Sequence, residues 1–359
     1  MRLPYLSIDT EKVEANIKKM VSKAVQNSLD FRPHFKTHQS KQIGQLYKEQ
    51  GVKGITVSSV YMADYFSSHG WKDITIAFPA SVSFAPLYNK LLQNCSLTLL
   101  LTDSEVAKKL DSKLNSPVSV YIEIDPGYGR SGLAFDDFDA IKELKSTLES
   151  CKNLTFEGFY THCGHTYKCR SKDAVKSLIE PIFASLGNLK QTFGGKICFG
   201  DTPSCSILEH FDGIDQISPG NFAFYDWMQY HIGSCNPEEI AVTMHCEVVA
   251  KYEQRNEVLI HGGAVHFSKD FILNNDNEPI YGVLVDDCQS NSPSYIKSLS
   301  QEHGIVSCSK STIELISVGD VLEFYPIHSC LTANLMREYV TKTGEVISQF
   351  GSGAPYQLY

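Results

Sequence analysis

The sequence predicts an α/β protein: a (β/α)8 TIM-type barrel over residues 1–237, then a second, mostly β domain over residues 238–359. Three observations carry this expectation. Short apolar runs alternate with amphipathic stretches through the first part of the chain, as βα units require. About eight such runs occur at near-even spacing, which favours closure into a barrel over a doubly wound open sheet. From about residue 240 strand-like runs follow one another, separated by turn-rich pieces.

In chain order, Leu3-Pro4-Tyr5-Leu6-Ser7-Ile8-Asp9 reads as a strand, counted with the barrel segment and able to join the β domain. Asp9 or Thr10 caps the helix that follows, whose apolar face carries Val13, Ile17, Met20 and Val21. Further strands are expected over 31–36, 54–58, 73–78, 96–101, 117–124, 154–161, 195–199 and 214–218. Helices are expected over 40–49, 60–69, 103–113, 136–149 and 172–192. The second domain offers strand-like runs over 241–251, 257–261, 280–285, 313–316, 321–325 and 345–350. Asn274-Asn275-Asp276-Asn277 and Ser290-Asn291-Ser292-Pro293 mark turns between some of them. Gly351-Ser352-Gly353-Ala354-Pro355 predicts a loose or surface-bound end.

A chain of 359 residues, 42% hydrophobic and 20% charged, has ample apolar material for a large core. Its net charge of -9 argues against non-specific nucleic-acid binding and against an anionic membrane surface. No apolar run approaches the roughly 20 residues that span a bilayer. Met1-Arg2-Leu3-Pro4-Tyr5 lacks a signal-peptide core, and 11 cysteines are too many and too odd for a small disulfide scaffold. The expectation is a cytoplasmic protein with reduced thiols.

Barrel enzymes keep their chemistry at the C-terminal ends of the strands. Arg32-Pro33-His34-Phe35-Lys36-Thr37-His38 places a lysine at the end of the first run. A desolvated lysine there loses its proton and attacks a carbonyl; a solvated loop lysine is the plainer alternative. Other strand ends carry Ser58-Ser59, Asp125 through Arg130 to Gly132, and Thr161-His162-Cys163-Gly164-His165-Thr166-Tyr167. Gly200-Asp201-Thr202-Pro203-Ser204 and Ser218-Pro219-Gly220-Asn221 end the last two runs. Glycines there permit close backbone approach, Thr202 and Ser204 offer hydroxyls, and the helix after Ser204 would point N–H groups at an anion. An ordinary N-cap explains the same residues. With a rim lysine, the two loops suit a phosphorylated carbonyl cofactor, and pyridoxal phosphate fits. Arg130 suits the cofactor's ring oxygen or a substrate carboxylate, or else a salt bridge to Glu123 and Asp125.

In the second domain Pro326-Ile327-His328-Ser329-Cys330 ends the run Val321 to Tyr325. In an extended chain His328 and Cys330 face one side and converge on one metal, zinc being suited to imidazole plus thiolate. A buried cysteine beside a satisfied histidine is the alternative.

These separated motifs together resemble the fold-type III pyridoxal-phosphate enzymes: the D-threonine aldolase and eukaryotic-type, zinc-dependent D-serine dehydratase group, distant relatives of alanine racemase. The likeness runs over most of the chain, and the segment around Lys36 is its most specific piece. It implies an alanine racemase-like barrel with a β domain, a Schiff base on Lys36, and a homodimer acting on a small amino acid. Positions matching the group's cofactor loops are Arg130, His162, Tyr167, Thr202, Ser204, Gly220 and Asn221. His328 and Cys330 match the pair that holds Zn2+, or another divalent metal, in the dehydratases; the aldolases usually carry His-x-Asp there. The expected reaction is loss of water from a 3-hydroxy-D-amino acid, then release of a keto acid and ammonia. Lys36 takes the Cα proton and the metal assists the departing hydroxyl. The alternatives, in order, are aldol cleavage with His165 as base, racemisation using Tyr167 or His162, and a non-catalytic pyridoxal-phosphate-binding protein. One departure stands out: His261-Gly262-Gly263-Ala264-Val265-His266 replaces the group's common Asp-Ala-Gly, adding two histidines.

Overall fold

The computed structural model describes residues 2–352, so residues 353–355 of the expected loose end lie outside the described part. The chain divides into two compact units. One comprises residues 17–222 with 232–234; the other comprises 1–16, 223–231 and 235–359.

The first unit is the (β/α)8 barrel. Its elements follow α1 (Thr10–Gln26), which begins in the other unit. They are β2 (Asp30–Phe31), α2 (Lys41–Glu49), β3 (Ile55–Val57), α3 (Val60–Ser68), β4 (Asp73–Pro79), α4 (Ala85–Leu91) and β5 (Ser96–Leu101). Then come α5 (Ser104–Asp111), β6 (Val118–Asp125), β7 (Leu133–Ala134), α6 (Phe138–Ser150), β8 (Leu154–His162), α7 (Lys172–Phe193), β9 (Lys196–Gly200), α8 (Thr202–Ile207) and β10 (Gln216–Ile217). The parallel strands run in the order β2-β10-β9-β8-β6-β5-β4-β3, with β7 a side strand on β6. The ring closes beyond β2: Phe35 donates its N–H to Thr56 O at 2.8 Å, and Thr56 donates to Pro33 O at 2.9 Å. The closing bridge joins His34 to Thr56, so Lys36 leaves the barrel two residues later, at the rim.

Strands buried on both faces read as continuous apolar runs, and β5 (Ser-Leu-Thr-Leu-Leu-Leu) is buried after its first residue. Leu100, Tyr121, Tyr160 and Cys198 pack together from four neighbouring strands. Several helices start on a side-chain cap. Ser59, Asp103, Asp137, Ser171 and Asp201 each accept a backbone N–H from the first turn. Such a cap contributes about 1 kcal/mol.

The second unit is mostly β. Its strands are β1 (Tyr5–Ile8), β11 (Val242–Tyr252), β12 (Glu257–His261), β13 (Ile272–Leu273), β14 (Pro279–Ile280) and β15 (Gly282–Leu284). They continue with β16 (Tyr295–Leu299), β17 (His303–Ser307), β18 (Val321–Pro326), β19 (Glu338–Thr341) and β20 (Val346–Ser348). Nine of them form one sheet in the order β12-β17-β16-β15-β18-β11-β1-β19-β20. β1 lies antiparallel to β11, with Tyr5 opposite His245, and parallel to β19. The strand expected over 313–316 is instead the helix Lys310–Leu315. Ser309 caps it, accepting the Thr312 N–H at 3.1 Å, and this local bond outweighs the apolar run. Among the described residues no helix is long and apolar enough to cross a membrane.

Candidate active site

At the barrel rim a cavity of about 340 Å³ is lined by Lys36, His34, Glu123, Arg130 and His162, among others. The Lys36 backbone N–H donates to His34 Nδ1 at 3.3 Å. Burial, then the charges of Lys36, His162 and Arg130, hold the His34 imidazole well below its usual pKa. His38 is different: fully buried, with its Nδ1 accepting the Ser40 N–H at 3.1 Å, it is a core histidine. His162 closes β8. Its Nδ1 lies 2.7 Å from Gly200 O, and a carbonyl only accepts, so Nδ1 carries the proton. Nε2 is left as an acceptor. Burial, then Lys36 and Arg130, pull the His162 pKa to about 3, so the ring is neutral near pH 7.

Arg130 sits on a loop shaped by Asp125, whose Oδ1 accepts the N–H groups of Gly127 and Tyr128 at 3.0 and 2.7 Å. Gly132 has φ +107, and a Cβ there would lie 2.6 Å from Asp125 N, so only glycine suits the position. With Asp125 engaged by the loop, Arg130 makes no ion pair among the described residues and keeps its guanidinium exposed, 5.9 Å from the Tyr128 ring. Glu123 is buried; Ser131 donates to its Oε1 at 2.6 Å, and burial pushes its carboxyl pKa up. Its Oε2 has no hydrogen-bond partner. Sequence reasoning treated Glu123 only as an ion-pair partner for Arg130.

The two small-residue loops adjoin the lysine segment. His34 donates its N–H to Pro219 O at 2.9 Å. A Cβ on Gly220 would lie 2.8 Å from His34 O, and one on Gly200 would lie 2.8 Å from Ser218 O. Thr202, Ser204 and Asn221 are buried, and Thr202 Oγ1 accepts the Phe222 N–H at 3.1 Å. Ser204 does not precede a helix, as expected, but lies in the first turn of α8, where its N–H donates to Asp201 Oδ1 at 2.7 Å. Burial pushes the Asp201 carboxyl up to about 6, against the hydrogen bonds from Ser204 and Thr166. The Ser204 hydroxyl itself is buried without a partner.

His165 and Tyr167 stand on the 3-10 turn Gly164–Lys168. His165 packs against the Tyr128 ring at 5.9 Å and lines a separate, largely apolar cavity with Pro126, Leu178, Pro181 and Ile182. Tyr167 lies with its ring 6.5 Å from that of His162. Among the described residues, the lining of the Lys36 cavity includes neither.

In the β unit His328 is the cap residue of the helix Ser329–Met336, so Cys330 lies in a first helical turn and not in extended chain. The two still meet, because a Cys330 hydrogen bond raises the His328 pKa. His328 Nδ1 lies 2.6 Å from Asp270 Oδ2. Burial alone lowers the His328 pKa, but Asp270 and Cys330 reverse this and push it up to about 10. Buried Asp226 accepts both the N–H and the hydroxyl of Ser329, at 2.9 and 3.2 Å, and so anchors the residue between the pair. Asp226 was missed in the sequence, and Asp270 was noted there only as the end of Ser268-Lys269-Asp270, with no role beside His328.

The family profile described as alanine racemase, N-terminal domain, matches residues 8–193, and that described as putative serine dehydratase domain matches residues 241–342. The D-serine dehydratase of Dictyostelium discoideum is 30% identical, over 98% of this chain and 96% of that protein. The chain belongs to the fold-type III pyridoxal-phosphate enzymes. Another relative, the D-threo-3-hydroxyaspartate dehydratase of Delftia sp. (strain HT23), is 25% identical over 92% of this chain and 91% of its own. Its solved structure has a TM-score of 0.87 at 23% identity, covering 98% of each chain. A cysteine-to-alanine mutant of it in the metal-free form matches with the same TM-score and identity, covering 98% of each chain.

The residues of this fold-type III barrel fit pyridoxal phosphate. The orphaned Ser204 hydroxyl is an unused donor beside the glycine loops, and Lys36 opens into a cavity with an uncommitted cation at Arg130. In the other unit an imidazole and a thiol meet at His328 and Cys330, a donor set that suits zinc.

Proposed function

We propose that the chain is a pyridoxal-phosphate-dependent lyase that removes water from a 3-hydroxy-D-amino acid, D-serine being the simplest, to yield a keto acid and ammonia. The observation that carries this reading is Lys36 opening into one cavity with Arg130 and a neutral His162. The relatives at 25–30% identity over nearly the whole chain support it. We assign a homodimer and a zinc ion as working partners.

Lys36 would carry the cofactor, and Ser204, Thr202, Gly220 and Asn221 would hold its phosphate. Pyridoxal phosphate supplies an electron sink that acidifies the Cα–H bond of a bound amino acid. The Lys36 Nζ amine takes that proton as general base. Arg130 binds an anionic oxygen of cofactor or substrate, its charge uncompensated by Asp125. His162 accepts a hydrogen bond at Nε2, since its Nδ1 proton is committed to Gly200 O. His328 and Cys330 would hold zinc, which supplies a Lewis acid for departure of the β-hydroxyl.

The cysteine at position 330 favours dehydration over aldol cleavage, since the aldolases of the group usually carry aspartate there. Product analysis on a panel of 3-hydroxy-D-amino acids, with and without chelator, tests the reading. Keto acid and ammonia, lost on chelation, are expected. Glycine plus an aldehyde would replace this reading with aldol cleavage, loss of optical activity with racemisation, and no product at all with a binding protein.

A further inference from the structure

The two histidines that depart from the group's pattern converge in space with a third ligand type. His261 ends β12, His266 lies on the short helix Ala264–Phe267, and Glu302 lies between β16 and β17. Their ligating atoms all lie within 4.8 Å of one another. His261 Nε2 is 3.6 Å and His266 Nε2 is 3.7 Å from Glu302 Oε2. We propose that His261, His266 and Glu302 form a second transition-metal site, suited to zinc, that shares no ligand with the His328–Cys330 pair.

The geometry supports coordination. Zinc holds nitrogen and oxygen ligands at about 2.0–2.2 Å, so two ligands of a tetrahedral ion stand about 3.4 Å apart. The two measured separations are within a few tenths of an ångström of that edge. Two imidazoles and one carboxylate select zinc and its neighbours over magnesium or calcium, which prefer all-oxygen shells. Three protein ligands leave a fourth position for water. The side chains of His261 and Glu302 are 43% and 47% exposed, which gives an ion an entry path.

The backbone builds this convergence. Gly262 donates its N–H to Glu302 O at 3.0 Å, and Ala264 donates to Ser300 O at 2.8 Å. A Cβ on Gly263 would lie 2.2 Å from Gln301 O, and one on Gly304 would lie 2.6 Å from Gly262 O. Glycines at these positions let the two backbones touch, which draws Glu302 onto the histidine turn. Thr332 anchors that turn by donating its hydroxyl to Phe267 O at 3.1 Å. One hydrogen bond is given up on loading. Gly263 N–H donates to His266 Nδ1 at 3.1 Å, and metal on Nε2 moves the ring proton to Nδ1.

Cobalt(II) titration of the full-length chain separates the two sites, because a thiolate ligand gives a charge-transfer band that nitrogen and oxygen ligands do not. The wild type should bind two equivalents, one with the thiolate band and one with ligand-field bands alone. Cys330→Ala should lose the thiolate band and keep the second component. Glu302→Gln and His266→Ala should keep the thiolate band and lose the second component. A Glu302→Gln protein that retains both components would overturn the proposal. So would a wild-type or Cys330→Ala protein with no thiolate-free cobalt spectrum.

Discussion

Replacing Asp270 tests how the β unit prepares His328 and Cys330 for the metal that we propose they hold. Asp270 Oδ2 accepts the His328 Nδ1 proton at 2.6 Å, a charge-assisted length. That bond holds the proton on Nδ1, so Nε2 is the ring nitrogen that would release its proton and take a metal. Carboxylate partners of this kind are worth about 10–100-fold in metal affinity, or about 1.4–2.7 kcal/mol. In Asp270→Asn the amide oxygen still accepts the proton but brings no charge, so zinc affinity should fall about tenfold. In Asp270→Ala nothing accepts it, and the loss should approach about a hundredfold. The assay is zinc competition against a chromophoric chelator on the full chain, with circular dichroism to confirm folding. Folded variants that bind zinc as tightly as the wild type would refute the reasoning, and so would an alanine variant that binds more tightly than the asparagine one.

Two further outcomes follow from the barrel. Gly220→Ala places a Cβ 2.8 Å from His34 O, a backbone atom that cannot yield without moving the lysine segment. It should lower stability by about 1–3 kcal/mol, read as a fall in the urea midpoint, and an unchanged midpoint would show that the contact is slack. His38, fully buried, has its pKa lowered by desolvation to about 3. The unfolded chain therefore binds the extra proton first as pH falls below about 6.5, and native stability drops by about 1.4 kcal/mol per pH unit from this group. His38→Asn keeps an acceptor for the Ser40 N–H but does not titrate, so urea unfolding between pH 6.5 and 5 should show a flatter stability curve. An equally steep curve would mean that His38 already protonates in the fold.

The barrel was legible because its strands are buried on both faces and its helices begin on Ser or Asp. β5 and the cap at Asp103 show both signals within a few residues. The β unit was read less well. Ile313-Glu314-Leu315-Ile316 alternates like a strand, but Ser309 and Thr312 start a helix through a bond that periodicity does not register. β16 and β17 were missed because Tyr295–Leu299 carries Lys297 and Ser298 at its centre and His303–Ser307 has polar ends and a glycine, so neither reads as an apolar run. At the site, Lys36, Arg130 and His162 were chosen from their places after strands, and they line one cavity. His165 was assigned to the same rim, but the 3-10 turn after β8 carries it against Tyr128. Asp270 and Asp226 lie far in sequence from the residues they support, and only the fold brings them together.

The central claim is a covalent bond at Lys36, and borohydride reduction of the cofactor-loaded protein followed by peptide mass mapping tests it most directly. The pyridoxyl mass should appear on the peptide containing Lys36 and vanish in Lys36→Ala. Label on a different lysine of the wild type, or bound cofactor that borohydride fails to fix, would contradict it.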